Sequence, residues 1–171
     1  VSGGWNPNIH LPCHQRGRPE WDAALSAFVP SADLPKALHV AGAANGQMTT
    51  AAAIQDAITS AMKITEDYGR KPTSLAIPKT SDESASITPF WYVTGTERGW
   101  VDQQNDVTVK DIKLAHQENF RSVEHLKRYT TLGMATDQGK TSNVLGLAIM
   151  AHTAGQSIPD TGTTIYRPPY S

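Results

Sequence analysis

Lys127–Asn143, KRYTTLGMATDQGKTSN, is the stretch on which the reading of this chain turns. The basic pair Lys127 and Arg128 closes one apolar-periodic segment, and Gly139-Lys140-Thr141 opens another that carries Val144, Leu145, Leu147, Ala148 and Met150 up to Gly155. Apolar residues at three- and four-residue steps predict helices on both sides of the stretch. Upstream, Ser122 with Glu124 in the first turn predicts a helix through Tyr129. Thr108 with Asp111 three residues on approximates a capping box ahead of Val109, Ile112 and Ala115. Three short helices thus make a small all-α unit over 100–156. Between the last two, amides at a helix start, hydroxyls and a lysine form a plausible anion cradle. A plain helix cap with an exposed Lys140 is the alternative.

The TDQGKTS run (Thr136–Ser142) imitates the end of a nucleotide-binding phosphate loop but fails on spacing. Gly133 lies one residue too far from Gly139 for the four-residue gap, and the segment before it is helical where that motif needs a strand.

The amino-terminal part reads differently. KALHVAG is expected to be a short buried strand, followed by the turn VAGAANG (Val40–Gly46) and a long helix. In that helix Ala51, Ile54, Ala57, Ile58, Ala61 and Met62 share a face, Thr49 or Thr50 can cap the start, and Gly69 can stop it. Strand, glycine turn and helix together read as the closing part of an α/β unit over 1–69. As at the end of a dinucleotide-binding fold, the arrangement can bring amides against a pyrophosphate, with a simple tight turn as the reading that spacing alone favours. As a fingerprint the turn is incomplete, because the third glycine position is Ala44. One strand and one helix cannot bury a parallel sheet, so this part calls for partners outside the sequence. Residues 70–99, with Pro72, Pro78, Pro89 and the polar run KTSDESAS, read as a linker. Within it, PFWY and the nearby Trp100 are apolar enough to clamp the connection onto a surface. The tail 157–171, SIPDTGTTIYRPPYS, has three prolines and is expected to run extended.

Composition narrows the function classes. Among 171 residues, 39% are hydrophobic and 18% charged, as in a soluble globular protein, and a formal net charge of -1 supplies no global field for nucleic acid or an anionic membrane. No apolar run is long enough to span a bilayer, and the first residues, VSGGWNPN, lack the parts of a secretion signal, so a cytoplasmic location is expected. The missing initiating Met points to a trimmed chain or a piece of a longer one. With Cys13 as the single cysteine there is no disulfide framework and no multi-thiolate metal site. His10, Cys13 and His14 in HLPCHQRG are tightly spaced ligand types without an evident fourth member. A thiol with solvated histidines is the expectation, and no metal site is assigned. The six histidines assemble no nucleophile, base and orienting group, so no catalytic residue is assigned.

WVDQQNDVT, DIKLA, FRSVEHLKRYTTLGMATDQGKTSN and SIPDTGTTIYRPPY, spanning the second half, together resemble the alpha-subunit family of heterotetrameric sarcosine oxidases. VSGGWNPNIHL and VAGAANG resemble the end of the NAD region of the same family. The resemblance implies an oxidoreductase that demethylates sarcosine with oxygen and tetrahydrofolate to glycine, peroxide and methylenetetrahydrofolate. FAD lies in a beta subunit, FMN at the interface of alpha and beta, and folate in a later domain of the alpha chain. The implied partners are the beta and other subunits and the remainder of the alpha chain. On that resemblance Ala43, Met48 and Thr50 contact NAD, and Arg128, Thr130, Thr131, Gln138, Gly139, Lys140 and Thr141 face the FMN phosphate. The helical unit also resembles the [2Fe-2S] helical domains of related amine dehydrogenases. In this chain Asp102, Gln104, Asp137 and Ser142 stand at the cysteine positions, and a cluster held by thiolates has no ligands there. A non-catalytic scaffold of a related amine dehydrogenase complex is the alternative reading.

Overall fold

The computed structural model describes residues 6–14, 17–81, 84, 86–95, 98–136 and 138–162. The chain divides into two compact units, Val1–Ile87 and Thr88–Ser171. The division falls inside the segment 70–99.

The first unit begins with a short helix, α1 (His10–His14), and an antiparallel hairpin of β1 (Pro19–Asp22) and β2 (Ala27–Pro30). Asp22 shapes the hairpin turn by accepting the amides of Ala24 at 2.8 Å and Leu25 at 3.0 Å, and Ser26 takes a left-handed φ of 49° before the chain returns. Trp21 stands opposite Phe28, with ring centroids 5.1 Å apart and edge to face. Ile9, Cys13, Ala27 and Phe28 form the small core. A 3-10 turn at Gly42–Asn45 leads to α2 (Thr50–Asp67), whose first turn is closed by Thr49 Oγ1 accepting Ala52 N at 3.2 Å. Gly69, at φ 68°, accompanies its end.

Lys36 to Gly42 departs from the strand reading: residues 36–41 form no strand and are half-buried or exposed. Strands β1 and β2 pair only with each other, so this run has no ladder partner among the described residues. The two-stranded sheet here is antiparallel, and no parallel strand joins it among the described residues, while the helix after the turn forms as expected. No residue of α2 is fully buried. Its apolar face, with Ile54, Ile58 and Met62, stays half-covered.

In the second unit, β3 (Trp100–Asp102) pairs antiparallel with β4 (Val107–Thr108), with a register shift between Trp100 and Asp102. Four helices follow: α3 (Val109–Gln117), α4 (Val123–Thr130), α5 (Asn143–Ala154) and α6 (Ile158–Thr161). The capping box at the start of α3 is present, with Asp111 Oδ2 accepting from Thr108 N and Thr108 Oγ1, both at 2.7 Å. Helix α5 is apolar all round and lies in the core, packed on α3 and α6. Ile112, Leu126, Leu132, Leu147, Ile149 and Met150 are almost wholly buried. Burying each such side chain contributes about 1.5–3 kcal/mol. Gly146 leaves the room that Leu132 occupies, since a Cβ there would overlap the leucine. Tyr92 from PFWY does seat on this unit, 6.3 Å from the His152 ring and 5.5 Å from Lys113 Nζ, whereas Phe90 is 66% exposed.

Where an extended tail is expected, α6 forms instead. Ser157 Oγ accepts Asp160 N at 3.3 Å and Pro159 occupies the first turn, the two features that favour a helix start. The rest of that tail, 163–171, lies outside the described residues, as does Asp137.

Candidate functional site

Asp102 is 2% exposed and organises the second unit. Its Oδ1 accepts the amides of Gln104 at 2.9 Å and Asn105 at 3.1 Å, as the short loop between β3 and β4 folds back on it. Its Oδ2 accepts Asn105 Nδ2 at 3.0 Å, Gly133 N at 2.8 Å and Ser142 Oγ at 3.4 Å. Burial alone pushes this carboxyl up, but hydrogen bonds from the Asn105 side chain and the Gly133, Asn105 and Gln104 amides outweigh it and hold the group below its ordinary value. Two of the four positions that the resemblance sets against cluster cysteines, Asp102 and Ser142, are therefore in contact, and another, Gln104, meets the same carboxylate through its amide. Among the described residues no group of three or more His, Cys, Asp or Glu side chains could hold a metal ion.

The loop from α4 to α5 repeatedly takes the left-handed conformation, at Thr131, Gly133, Ala135, Gln138 and Gly139. With α4 it frames a cavity of about 420 Å³ lined by Glu124, Lys127, Arg128, Gly133, Met134, Ala135 and Gln138. Glu124, Lys127 and Arg128 are spaced i, i+3 and i+4 and so share a face of α4, with Lys127 at its border with buried Val123 and Leu126. Arg128 Nη1 lies 3.8 Å from Glu124 Oε2 and donates to Glu124 O at 3.1 Å. Beneath the loop, Asn143 is 2% exposed, and neither polar atom of its carboxamide has a hydrogen-bond partner among the described residues. A Cβ on Gly133 or Gly139 would overlap that carboxamide.

The structure thus separates the seven residues assigned to a flavin phosphate. Arg128 and Gln138 line the cavity. Thr130 donates its hydroxyl to Leu126 O at 2.8 Å and Thr131 donates to Thr130 O at 2.6 Å, so both close the end of α4. Gly139, Lys140 and Thr141 lead into α5 beyond the lining residues, with Gly139 buried and the other two exposed. Lys127 and Glu124 escaped the motif-based reading, although their shared helical face was available from spacing.

In the first unit a second cavity of about 510 Å³ is lined by Asn6, Pro7, Asn8, Ala43, Ala44, Met48, Ser84, Ser86 and Ile87. Two of the three assigned NAD contacts, Ala43 and Met48, are brought together there, and Thr50 begins α2 outside the lining. The glycine turn itself is engaged from within. Asp56 Oδ2 on α2 accepts Gly42 N at 2.9 Å and Asn45 Nδ2 at 3.2 Å. A carboxylate on the first amide of the turn disfavours a pyrophosphate at that amide. His10 and Cys13 are buried in α1, and burial pushes the Cys13 thiol up. Only His14 of that trio is exposed, so the expectation of two solvated histidines fails at His10. No described helix is long and apolar enough to cross a membrane.

Residues 96–171 match the sarcosine oxidase A3 domain. The whole chain is similar to sarcosine oxidase subunit alpha of Rhizobium meliloti (strain 1021), 41% identical over 174 residues, and of Corynebacterium sp. (strain U-96), 37% identical over 185 residues. It spans 18% of the length of each. Among solved structures it is similar to L-proline dehydrogenase from P. horikoshii, with a TM-score of 0.65 at 18% identity, covering 96% of this chain and 35% of that one. At that identity the likeness is one of fold.

Proposed function

Because the chain belongs to the sarcosine oxidase alpha-subunit family as a segment of the subunit, we propose that it works inside a multi-subunit, flavin-dependent sarcosine oxidase. The reaction is the oxidative demethylation of sarcosine with oxygen and tetrahydrofolate. The first unit supplies part of an NAD pocket, and the second faces an FMN shared with a beta subunit. The flavins perform the oxidation when bound, and this chain contributes placement and electrostatics.

The observation that carries the reading is the coincidence of assigned contacts with cavities. Ala43 and Met48 line one cavity, whose volume lies within the range of small-molecule sites, and Arg128 and Gln138 line the other. The donor sets also fit. Ala43, Ala44, Met48 and Ile87 offer an apolar wall to a ring system, and Lys127 and Arg128 offer charge to a phosphate. The helical unit keeps the frame of a [2Fe-2S] domain, in which the Asp102 carboxylate with Ser142 now fills the place of a ligand pair. The unfilled half of α2 is covered by the remainder of the alpha chain.

Cofactor content of the assembled oxidase tests this. Ala43→Glu is expected to lower bound NAD while leaving FMN, and Arg128→Glu to lower FMN while leaving NAD, both quantified after denaturation and chromatography. Unchanged content of both cofactors in the two variants overturns the assignment.

A further inference from the structure

Lys127 is not among the residues that the resemblance places at the flavin phosphate, yet it lines the cavity in a position to hold one. It sits on the face of α4 that lines the cavity, half-buried, between Glu124 and the left-handed loop. Arg128, one residue on, is engaged by Glu124 through both its carboxylate and its carbonyl. Lys127 has no such partner among the described residues. We propose that Lys127 is the anchoring cation of a phosphate-monoester site in this cavity, and that Glu124 is a built-in competitor that holds Arg128 until the phosphate arrives.

Three observations support this, and it rests on the reading that this face meets a phosphorylated flavin. First, two cations and one carboxylate line a single half-open cavity, which leaves a net positive site on a chain whose overall charge is -1. Second, the Glu124–Arg128 pair is exposed on both sides, at 64% and 69%, so solvent screens it and a doubly charged phosphate can displace the carboxylate. Guanidinium and phosphate then meet in a bidentate geometry that Glu124 at 3.8 Å does not give. Third, the buried and unpartnered Asn143 carboxamide lies directly under Gly133, which also lines the cavity. A polar group in that state is a donor and acceptor still seeking a partner as the loop adjusts. Lys140, exposed and outside the lining, is not the cation of this site.

Orthophosphate titrated into the chain, followed by the backbone amide signals of Gly133, Met134 and Ala135, tests the proposal. Lys127→Gln is expected to weaken binding about tenfold and Lys127→Arg to restore most of it, since a charged hydrogen bond to phosphate is replaced by a neutral one. Glu124→Gln is expected to tighten binding about threefold by releasing Arg128. Lys140→Gln should leave affinity within about twofold, as expected of an exposed charge outside the site. Phosphate affinity independent of Lys127, or unchanged by Glu124→Gln, overturns the proposal. FMN and riboflavin form the second arm. Lys127-dependent phosphate binding, with FMN binding no tighter than orthophosphate, keeps the site and rejects the flavin as its source. If Arg128→Glu strips FMN from the assembled oxidase while phosphate binding ignores Lys127, the flavin interface stands and this inference falls.

Discussion

The amide of Gly133 donates to the Asp102 carboxylate at 2.8 Å, joining the end of β3 to the loop after α4 across 31 residues of sequence. Ser142, at the start of α5, reaches the same oxygen. One buried carboxylate therefore fixes a strand, a loop and a helix start. Asp102→Ala strands the Gly133 amide, the Asn105 side chain and the Ser142 hydroxyl, and the expected loss is about 2–4 kcal/mol. Denaturant unfolding measures it. A loss below 1 kcal/mol, on the order of an ordinary surface change, would show that the network contributes little.

The same group sets an acid dependence. Its folded pKa is held down, so its contribution is fully present above the unfolded carboxylate value of about 3.9 and is lost as pH falls through the lower folded value. Asp102→Asn cannot ionise and is expected to flatten that part of the stability profile below about pH 5, besides lowering stability at neutral pH. Unfolding midpoints for both proteins between pH 7 and pH 3 make the comparison. Parallel profiles would refute the linkage.

Much of this frame is legible from residue patterns, because the helices carry their own instructions. Thr49, the Thr108–Asp111 box and Gly155 mark the ends of α2, α3 and α5, and apolar spacing marks their faces. The hairpin is not legible. Its turn uses Asp22 and a left-handed Ser26 instead of an Asn-Gly or Asp-Gly signal, and its pairing depends on Trp21 meeting Phe28. KALHVAG misleads for the opposite reason, since its composition favours a strand and no neighbour offers a ladder. In the site, Arg128 and Gln138 are reachable from the motif. Asp102 as a hub is not, because two of its five hydrogen bonds come from Gly133 and Ser142, 31 and 40 residues away.

Gly139 and Asn143 provide a coupling test. Gly139 sits at φ 79°, and an added Cβ would overlap the Asn143 carboxamide. Gly139→Ala therefore combines left-handed strain of about 1–2 kcal/mol with overpacking of about 1–3 kcal/mol. Asn143→Ala removes the obstacle and also the unpartnered polar group. The double variant is expected to recover at least about 1 kcal/mol relative to the sum of the single changes. Additive losses would mean that the two side chains do not oppose each other.

Asp56 gives the corresponding test in the first unit. Its carboxylate accepts Gly42 N and Asn45 Nδ2 and so holds the 3-10 turn against α2. Asp56→Ala frees that turn at an expected stability loss of about 1.5–3 kcal/mol, the usual magnitude for hydrogen bonding to a charged group. If Ala43 and Met48 form the NAD wall, loss of the pin disperses them and bound NAD falls more than global stability does. Asp56→Asn retains an acceptor oxygen in the same place and is expected to keep most of the NAD. Equal NAD content in the Ala variant and the parent, measured in the assembled oxidase, would show that the turn needs no anchor to serve the pocket.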